Sequence, residues 1–270
     1  MFPKLYSRSA LFLILALSIP ALPQVGGSFP PPDTTTLPQA PSPSMKVEEA
    51  PTLRNTPRHL LEDQRDIWTS PARLRLQDAK WLIPLAAATG VGIATDSHVM
   101  KTVTSHEAEF NNGGTDASNV VIGGFIAAPV ALYGLGHFKN DPHAREAGLL
   151  GGEALVDGVI VEQGLKLIFW RERPYQDNGR GLFFQGRAGI DSSFPSSHSV
   201  LAWSSAAVLA EEYPSRWKQV GIYSLATGVS LTRVLGQQHF PTDVLVGSAA
   251  GWLVGHYVYR LHHRPIVDTP

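Results

Sequence analysis

The chain of 270 residues contains no cysteine. That absence excludes a disulfide scaffold, a thiolate metal site and a thiol nucleophile, and it leaves export open, since exported proteins need no disulfides. It also lacks a charge of one sign: 22 Lys+Arg stand against 23 Asp+Glu, a formal net charge of −1. The basic excess of a nucleic-acid binder is therefore missing, and no nucleic-acid partner is expected. Charged residues are sparse at 17%, whereas 43% of residues are hydrophobic, enough to bury a sizeable core. Alternating β-branched stretches of strand type are scarce, and no internal repeat of fixed period is visible.

The 21 prolines are unevenly spread. Residues 1–24 read as a secretory signal. Lys4 and Arg8 make a basic start, and Ala10 to Leu22 is an uncharged, mostly apolar stretch of about 13 residues, short for a membrane span but right for a signal. Residues 25–58 turn to Pro, Ser, Thr and Gly and predict an extended tether that buries little. A short amphipathic helix is expected around Leu60 to Trp68. The remainder, 75–263, has the length of one domain. Apolar segments of helical length predict helices near 79–95, 118–137, 146–171, 198–212, 217–233 and 242–261, so the fold class is all-α, a bundle of about six helices.

Three clusters in the second half carry candidate chemistry. The first is Lys166-Leu-Ile-Phe-Trp-Arg-Glu-Arg173-Pro174. Two helical turns separate Lys166 from Arg173, which would share a face, and Pro174 should stop the helix at Arg173. Taken alone, the cluster also reads as a Glu162–Lys166 ion pair with arginines at a helix end. The second is Phe194-Pro195-Ser196-Ser197-His198-Ser199, in which Ser196 suits an N-cap. The helix start behind it offers free N–H groups to a phosphate, although Pro-Ser is also simply how helices begin. The third is Thr232-Arg233-Val-Leu-Gly-Gln-Gln-His239-Phe-Pro241-Thr-Asp243. Here a carboxylate could fix the tautomer of an imidazole and leave its other nitrogen as nucleophile, or Asp243 could be a helix-start residue beside a surface histidine.

Lys-x6-Arg-Pro, Pro-Ser-x-His and Arg-x5-His-x3-Asp, in this order, resemble the signature of the phosphatidic acid phosphatase type 2 / vanadium haloperoxidase superfamily. Two positions depart from it: Ser197 stands where the family usually has Gly, narrowing the room around a phosphate, and Thr232 where it usually has Ser. The resemblance implies a helical bundle, from about residue 80 to 262, that hydrolyses phosphate monoesters or lipid (pyro)phosphates without a metal. By motif, Lys166, Arg173, Arg233, Ser196 and Ser197 would bind the phosphate. His239 would attack phosphorus to give a phosphohistidine, Asp243 would orient it, and His198 would protonate the leaving oxygen. No cofactor is expected, vanadate entering only under the alternative of a vanadate-dependent haloperoxidase; a non-catalytic phosphate-binding envelope protein is the third reading. The expected partners are a phosphorylated lipid or small phosphate ester and a membrane surface.

If all six helices crossed a bilayer after a cleaved signal, the third would end on the cytoplasmic side, the wrong side for an exported phosphatase. Helical charges such as Glu153, Asp157, Glu162 and Lys166 also weigh against spans, although the stretch Ala117–Phe138 has none. The expectation is a largely soluble domain in the cell envelope or periplasm, with an integral membrane bundle as the alternative. His256, His262 and His263 read as the surface of a basic tail, while Trp170 and Trp203 read as core. His98, His106, His137 and His143 have no ligand-like spacing.

Overall fold

The computed structural model describes residues 51–176 and 179–264. The expected signal, and most of the expected tether, lie outside the described residues. Within them are seven α-helices and no strand: α1 Thr56–Thr69, α2 Ala79–Thr102, α3 Ala108–Phe138, α4 Pro142–Phe169, α5 Ser197–Glu212, α6 Arg216–Leu235 and α7 Pro241–His262. The all-α expectation holds, with α1 as the short helix before a bundle of six. Helix α1 begins inside the last residues assigned to the tether. Helix α4 begins earlier than expected because Asp141 caps it, its side chain accepting from Ala144 N–H at 3.1 Å.

Helix α5 is the centre of the bundle. Its Ala202, Ala206 and Leu209 pack with Ile122 and Phe125 of α3 and with Ala226 and Val229 of α6. On another face, Val208 meets Leu150, Ala154 and Val161 of α4 and Val254 and Val258 of α7. A helix apolar on every side belongs inside, and α5 is built mostly from small residues so that neighbours can approach from all directions. Helix α7 comes closest. Gly247, Gly251 and Gly255 recur every fourth residue on the face that meets α5, and a Cβ on Gly251 or Gly255 would run into the backbone of Val200 or Ser204. Gly251→Ala is expected to cost about 1–3 kcal/mol of stability by overpacking. A lowered melting temperature checks this; an unchanged one would mean the two helices can separate freely.

Dryness is confined to this inner packing. Along α3, Val120, Val130 and Phe138 are 76%, 73% and 84% exposed. Ile83 and Val91 of α2 and Leu167 and Ile168 of α4 are also exposed. Among the described residues, α3 is the one helix long and apolar enough to cross a membrane. So broad an apolar surface is unlike that expected of a largely soluble domain and is of the kind that marks an interaction face.

Helices α4 and α6 end, and α5 and α7 begin, at the same end of the bundle. The loop from Trp170 to Ser196 lies there, tied by Ser193 N–H to the Arg171 carbonyl at 2.9 Å and by Ser196 N–H to the Asp243 carbonyl at 3.1 Å. This places all three sequence clusters together.

Candidate active site

Helix α4 does not run to Arg173. It stops at Phe169, and Trp170 adopts a positive φ of 26°. Lys166 and Arg173 are therefore not on one helical face, as their spacing suggested; the chain turns, and the two meet across the loop. Lys166 is fully buried in the last turn of α4, its ammonium donating to the Ser192 carbonyl at 2.8 Å and the Ile190 carbonyl at 3.4 Å. It also pairs with Glu162 at 3.2 Å, so the ordinary ion pair and the site cation are one and the same residue. Burial lowers the Lys166 pKa, and Glu162 only partly restores it. Arg173 is half-buried and held entirely by carbonyls, those of Asp191 at 3.1 Å, Gln238 at 3.3 Å and Ile190 at 3.4 Å.

Arg233, in the last turn of α6, is buried and donates to Ser118 Oγ of α3 at 3.1 Å, while its buried Nε has no partner. Burial and the charge of Arg173 lower its pKa to about 10, still fully cationic. Among the described residues neither Arg173 nor Arg233 makes an ion pair. Two cations without carboxylates, next to Lys166, form a cradle for an anion.

Ser196 caps α5, its hydroxyl accepting from Ser199 N–H at 3.5 Å. The Ser197 hydroxyl donates to Glu162 at 2.6 Å, which turns it toward α4 and its lysine. Both hydroxyls thus serve the local fold, and what this turn offers an anion is its helix N-terminus. His198 follows in the first turn, its Nε2 2.9 Å from Asn119 Oδ1 of α3. Burial, then Arg233, His239, Arg173 and Lys166, drive its pKa down to about 3.

His239 is buried, and its Nδ1 lies 2.7 Å from the Ser193 carbonyl and 3.6 Å from Asp243 Oδ2. Donation from Nδ1–H to that carbonyl leaves Nε2 with its lone pair, the form a nucleophile needs. Burial lowers its pKa to about 4 against the pull of Asp243. The tautomer is set first by the backbone carbonyl of Ser193, just ahead of the second cluster, with Asp243 behind it, which the sequence did not foresee. Asp243 Oδ2 accepts from Phe240 N–H at 2.8 Å and Ser193 Oγ at 2.5 Å. Burial would raise its pKa, but the His239 hydrogen bond and the Arg171 charge outweigh burial and lower it.

Arg171 was missed. Its fully buried guanidinium donates to Asp243 Oδ1 at 2.7 Å, Thr242 Oγ1 at 2.8 Å, Asp96 Oδ2 at 2.8 Å and the Gly181 carbonyl at 3.0 Å. It sits over the rings of Phe240 and Phe183, 4.1 and 4.6 Å from their centroids. Asp96 reaches in from α2 and accepts from Thr242 N–H at 3.2 Å and from the Thr242 hydroxyl. The charge-dense Trp170–Pro174 run could have singled out Arg171; for Asp96 the one sequence signal was a lone acid in an apolar helix.

Two further expectations fail. Trp170 is 39% exposed at the rim rather than core, whereas Trp203 does pack against the core and stacks on Tyr223. His262 is no surface tail: it is 5% exposed at the end of α7 and bonded to Asp63 at 2.9 Å.

Residues 148–266 match the sequence model of the PAP2 superfamily. A lipid A 1-phosphatase of Porphyromonas gingivalis is 28% identical over 182 residues, 66% of this chain and 37% of that protein. Another, of Rhizobium etli, is 36% identical over 93 residues, 33% of this chain and 39% of that protein. The chain therefore spans under two-fifths of the length of these curated relatives. A crystal structure of a transmembrane PAP2-type phosphatidylglycerolphosphate phosphatase from Bacillus subtilis aligns with 77% of this chain and 96% of its own, at 20% identity and a TM-score of 0.47.

Proposed function

We propose that this chain, whose residues 148–266 match the sequence model of the PAP2 superfamily, is a metal-independent phosphatase acting on a lipid phosphate through a phosphohistidine. The observation that carries this reading is the buried His239, its Nδ1 tied to the Ser193 carbonyl, next to two arginines that have no carboxylate partner among the described residues. In the proposed reaction the phosphoryl oxygens lie against Lys166, Arg173, Arg233 and the start of α5. His239 Nε2 attacks phosphorus, the ester P–O bond breaks, and the leaving oxygen takes its proton from His198. Water, deprotonated by His198, then breaks the P–N bond, releasing phosphate and restoring both histidines. Charge spread over the transferring group is met by the fixed cations, the part a divalent ion would otherwise play.

Two observations favour a lipid over a small soluble ester. Both curated relatives are lipid A 1-phosphatases. Beside the site, an open apolar groove of about 490 Å³ runs between α2, α4 and α7, lined by Leu82, Leu85, Ile93, Leu165, Phe169 and Phe194. The exposed apolar faces of α2 and α3 fit a protein that meets its substrate at a membrane, and export to the cell envelope is part of the same proposal.

Phosphate release from a lipid phosphate in mixed micelles is expected to survive excess EDTA, assayed well below the melting temperature, and to be inhibited by vanadate as a five-coordinate mimic. Activity that vanishes with EDTA and returns with a divalent ion would overturn metal independence. Halide oxidation dependent on vanadate and peroxide would replace the phosphatase reading altogether.

The pH profile follows from the two histidines. With a pKa of about 4, His239 is neutral, and so nucleophilic, through most of the acid-to-neutral range. His198, at about 3 before substrate binds, must be protonated to act. A bound phosphate offsets Arg233, Arg173 and Lys166 and raises it. The expected profile is a bell with an acid-to-neutral optimum, its limbs belonging to the coupled pair and activity falling as the pH rises and His198 loses its proton. His198→Ala should slow the ester-cleaving step, read as burst release of the leaving group, by about 10²-fold or more for alkyl esters. For activated aryl phosphates that step should be spared and its alkaline limb flattened, with steady-state turnover of both ester types then limited by hydrolysis of the phosphohistidine. An unchanged alkaline limb in that variant would assign the proton to another group.

A further inference from the structure

Far from the phosphate cradle, α1, α4 and the end of α7 enclose a second cluster of titratable side chains. The i,i+4 spacing puts His59 and Asp63 on one face of α1 and Glu153 and Asp157 on one face of α4. Into the space between them comes His262, from the last turn of α7. Glu153 lies about 20 Å along α4 from Lys166, at 1.5 Å per residue. Asp63, Glu153, Asp157 and His262 are all buried.

Three carboxylates are thus brought together in the interior. Their partners are Thr56 Oγ1 on Glu153 at 2.6 Å, His59 on Glu153 at 3.3 Å, Gln64 on Asp157 at 2.8 Å and His262 on Asp63 at 2.9 Å. Thr56 and Gln64 are neutral. The two imidazoles stack with centroids 4.2 Å apart and planes 13° from parallel, a geometry in which two positive rings repel. Two buried carboxylate oxygens, Glu153 Oε2 and Asp157 Oδ2, have no hydrogen-bond partner at all. A buried carboxylate oxygen without a donor is costly unless something positive meets it.

We propose that His59, Glu153 and His262 bind a divalent transition-metal ion of the zinc type, as a structural tie. One ligand atom from each lies within 4.8 Å of the others, the spacing that a single ion with three protein ligands requires after small side-chain adjustments. Mixed imidazole and carboxylate donors favour zinc over magnesium or calcium, which take oxygen. Asp63 has the place of the carboxylate that orients a metal-bound histidine: both its oxygens lie within 3.0 Å of His262 Nε2, leaving Nδ1 for the ion. A fourth position is left for water.

The site gives α1 a reason to stay where it is. The one fully buried residue of this helix is Asp63, so α1 docks on the bundle through polar groups as well as through Ile67 and Trp68, which meet α4 and the core at its C-terminal end. A metal joining α1, α4 and α7 supplies cohesion that apolar burial does not, and it belongs to folding rather than to phosphoryl transfer.

The test is metal content and melting temperature of the full, untagged chain, purified in detergent from zinc-supplemented cells and dialysed. About one zinc per chain is expected, with a melting temperature lowered by chelator and restored by zinc. Cobalt substitution should give the intense visible bands of a four-coordinate site. His262→Ala and Glu153→Gln should each reduce the zinc content at least about five-fold. His263→Ala, which alters the neighbouring Glu146–Glu212–His263 group, should leave it unchanged. Wild-type protein holding less than about 0.1 zinc per chain, with no chelator effect on melting, would overturn the proposal. So would zinc that persists in both ligand variants, or that is lost only in His263→Ala. The wild-type measurements decide even where a variant fails to fold. Phosphatase activity measured cold should be indifferent to the metal; were it lost together with zinc, the metal-independent mechanism would fail while the site stood.

Discussion

His239→Ala is expected to remove phosphate release from lipid and aryl phosphates alike, by about 10⁴-fold or more, and to abolish any covalent phosphoenzyme. The size follows from what is lost. Deleting His198 or one cation leaves a nucleophile in place, and an activated ester can still react. Without His239 the groups described at the cradle are cations, an orienting carboxylate and the proton donor His198, and none of them takes the part of the nucleophile in the proposed reaction. The imidazole is also the group on which Ser193, Asp243 and, through Asp243, Arg171 converge. Rapid quench of the wild type with labelled substrate should trap an acid-labile, base-stable phosphoenzyme, and the variant should trap none. If wild type traps nothing, or His239→Ala still forms the adduct, the nucleophile lies elsewhere.

Arg171→Met carries the second large effect. The substitution leaves Asp96 and Asp243, both buried, without the cation they share. Burial already raises the Asp96 pKa despite Arg171, so its charged form depends on that partner. Removing one member of a buried ion pair typically costs about 3–5 kcal/mol, and a steep fall in melting temperature is expected. Arg171 has been placed on Asp243, not on the substrate, so it is a positioning residue. Protein that remains folded in the cold should show a reduced kcat with KM nearly unchanged, because the cradle of Lys166, Arg173 and Arg233 is intact. Arg171→Lys should recover little, since one ammonium cannot reach Asp96, Thr242, Asp243 and the Gly181 carbonyl together. A variant with normal stability, or one whose KM alone rises, would contradict this role.

Helix number and order were legible because apolar segments of helical length recur between turn signals, and the three clusters were legible because their spacings are specific. The end of α4 was not. Pro174 is a visible stop, but the helix breaks at Phe169 because the following loop offers other partners: Gly186 N–H bonds the Trp170 carbonyl, and Glu172 N–H bonds the Leu182 carbonyl. Such long-range pairing leaves no local mark. Asp96, the lone acid of α2, and Asp63, one of three acids in α1, share that problem, since the importance of each comes from an arginine or histidine far along the chain. His262 was misread for a related reason, since a run of His and Arg looks like a solvated tail until α1 is seen to cover this residue. The Ser193 carbonyl could not be found from side-chain identity at all, because any residue carries that oxygen.

The Ile190 carbonyl accepts from both Lys166 and Arg173, yet the Ile190 side chain is 75% exposed. At such a position the letter in the sequence can drift while the place in the chain cannot. Substitutions at 190 should be nearly silent, whereas adding or deleting a single residue between 187 and 191 would shift the oxygen that holds two cations in register. Variation among related chains at this loop should therefore be free in composition and strict in length.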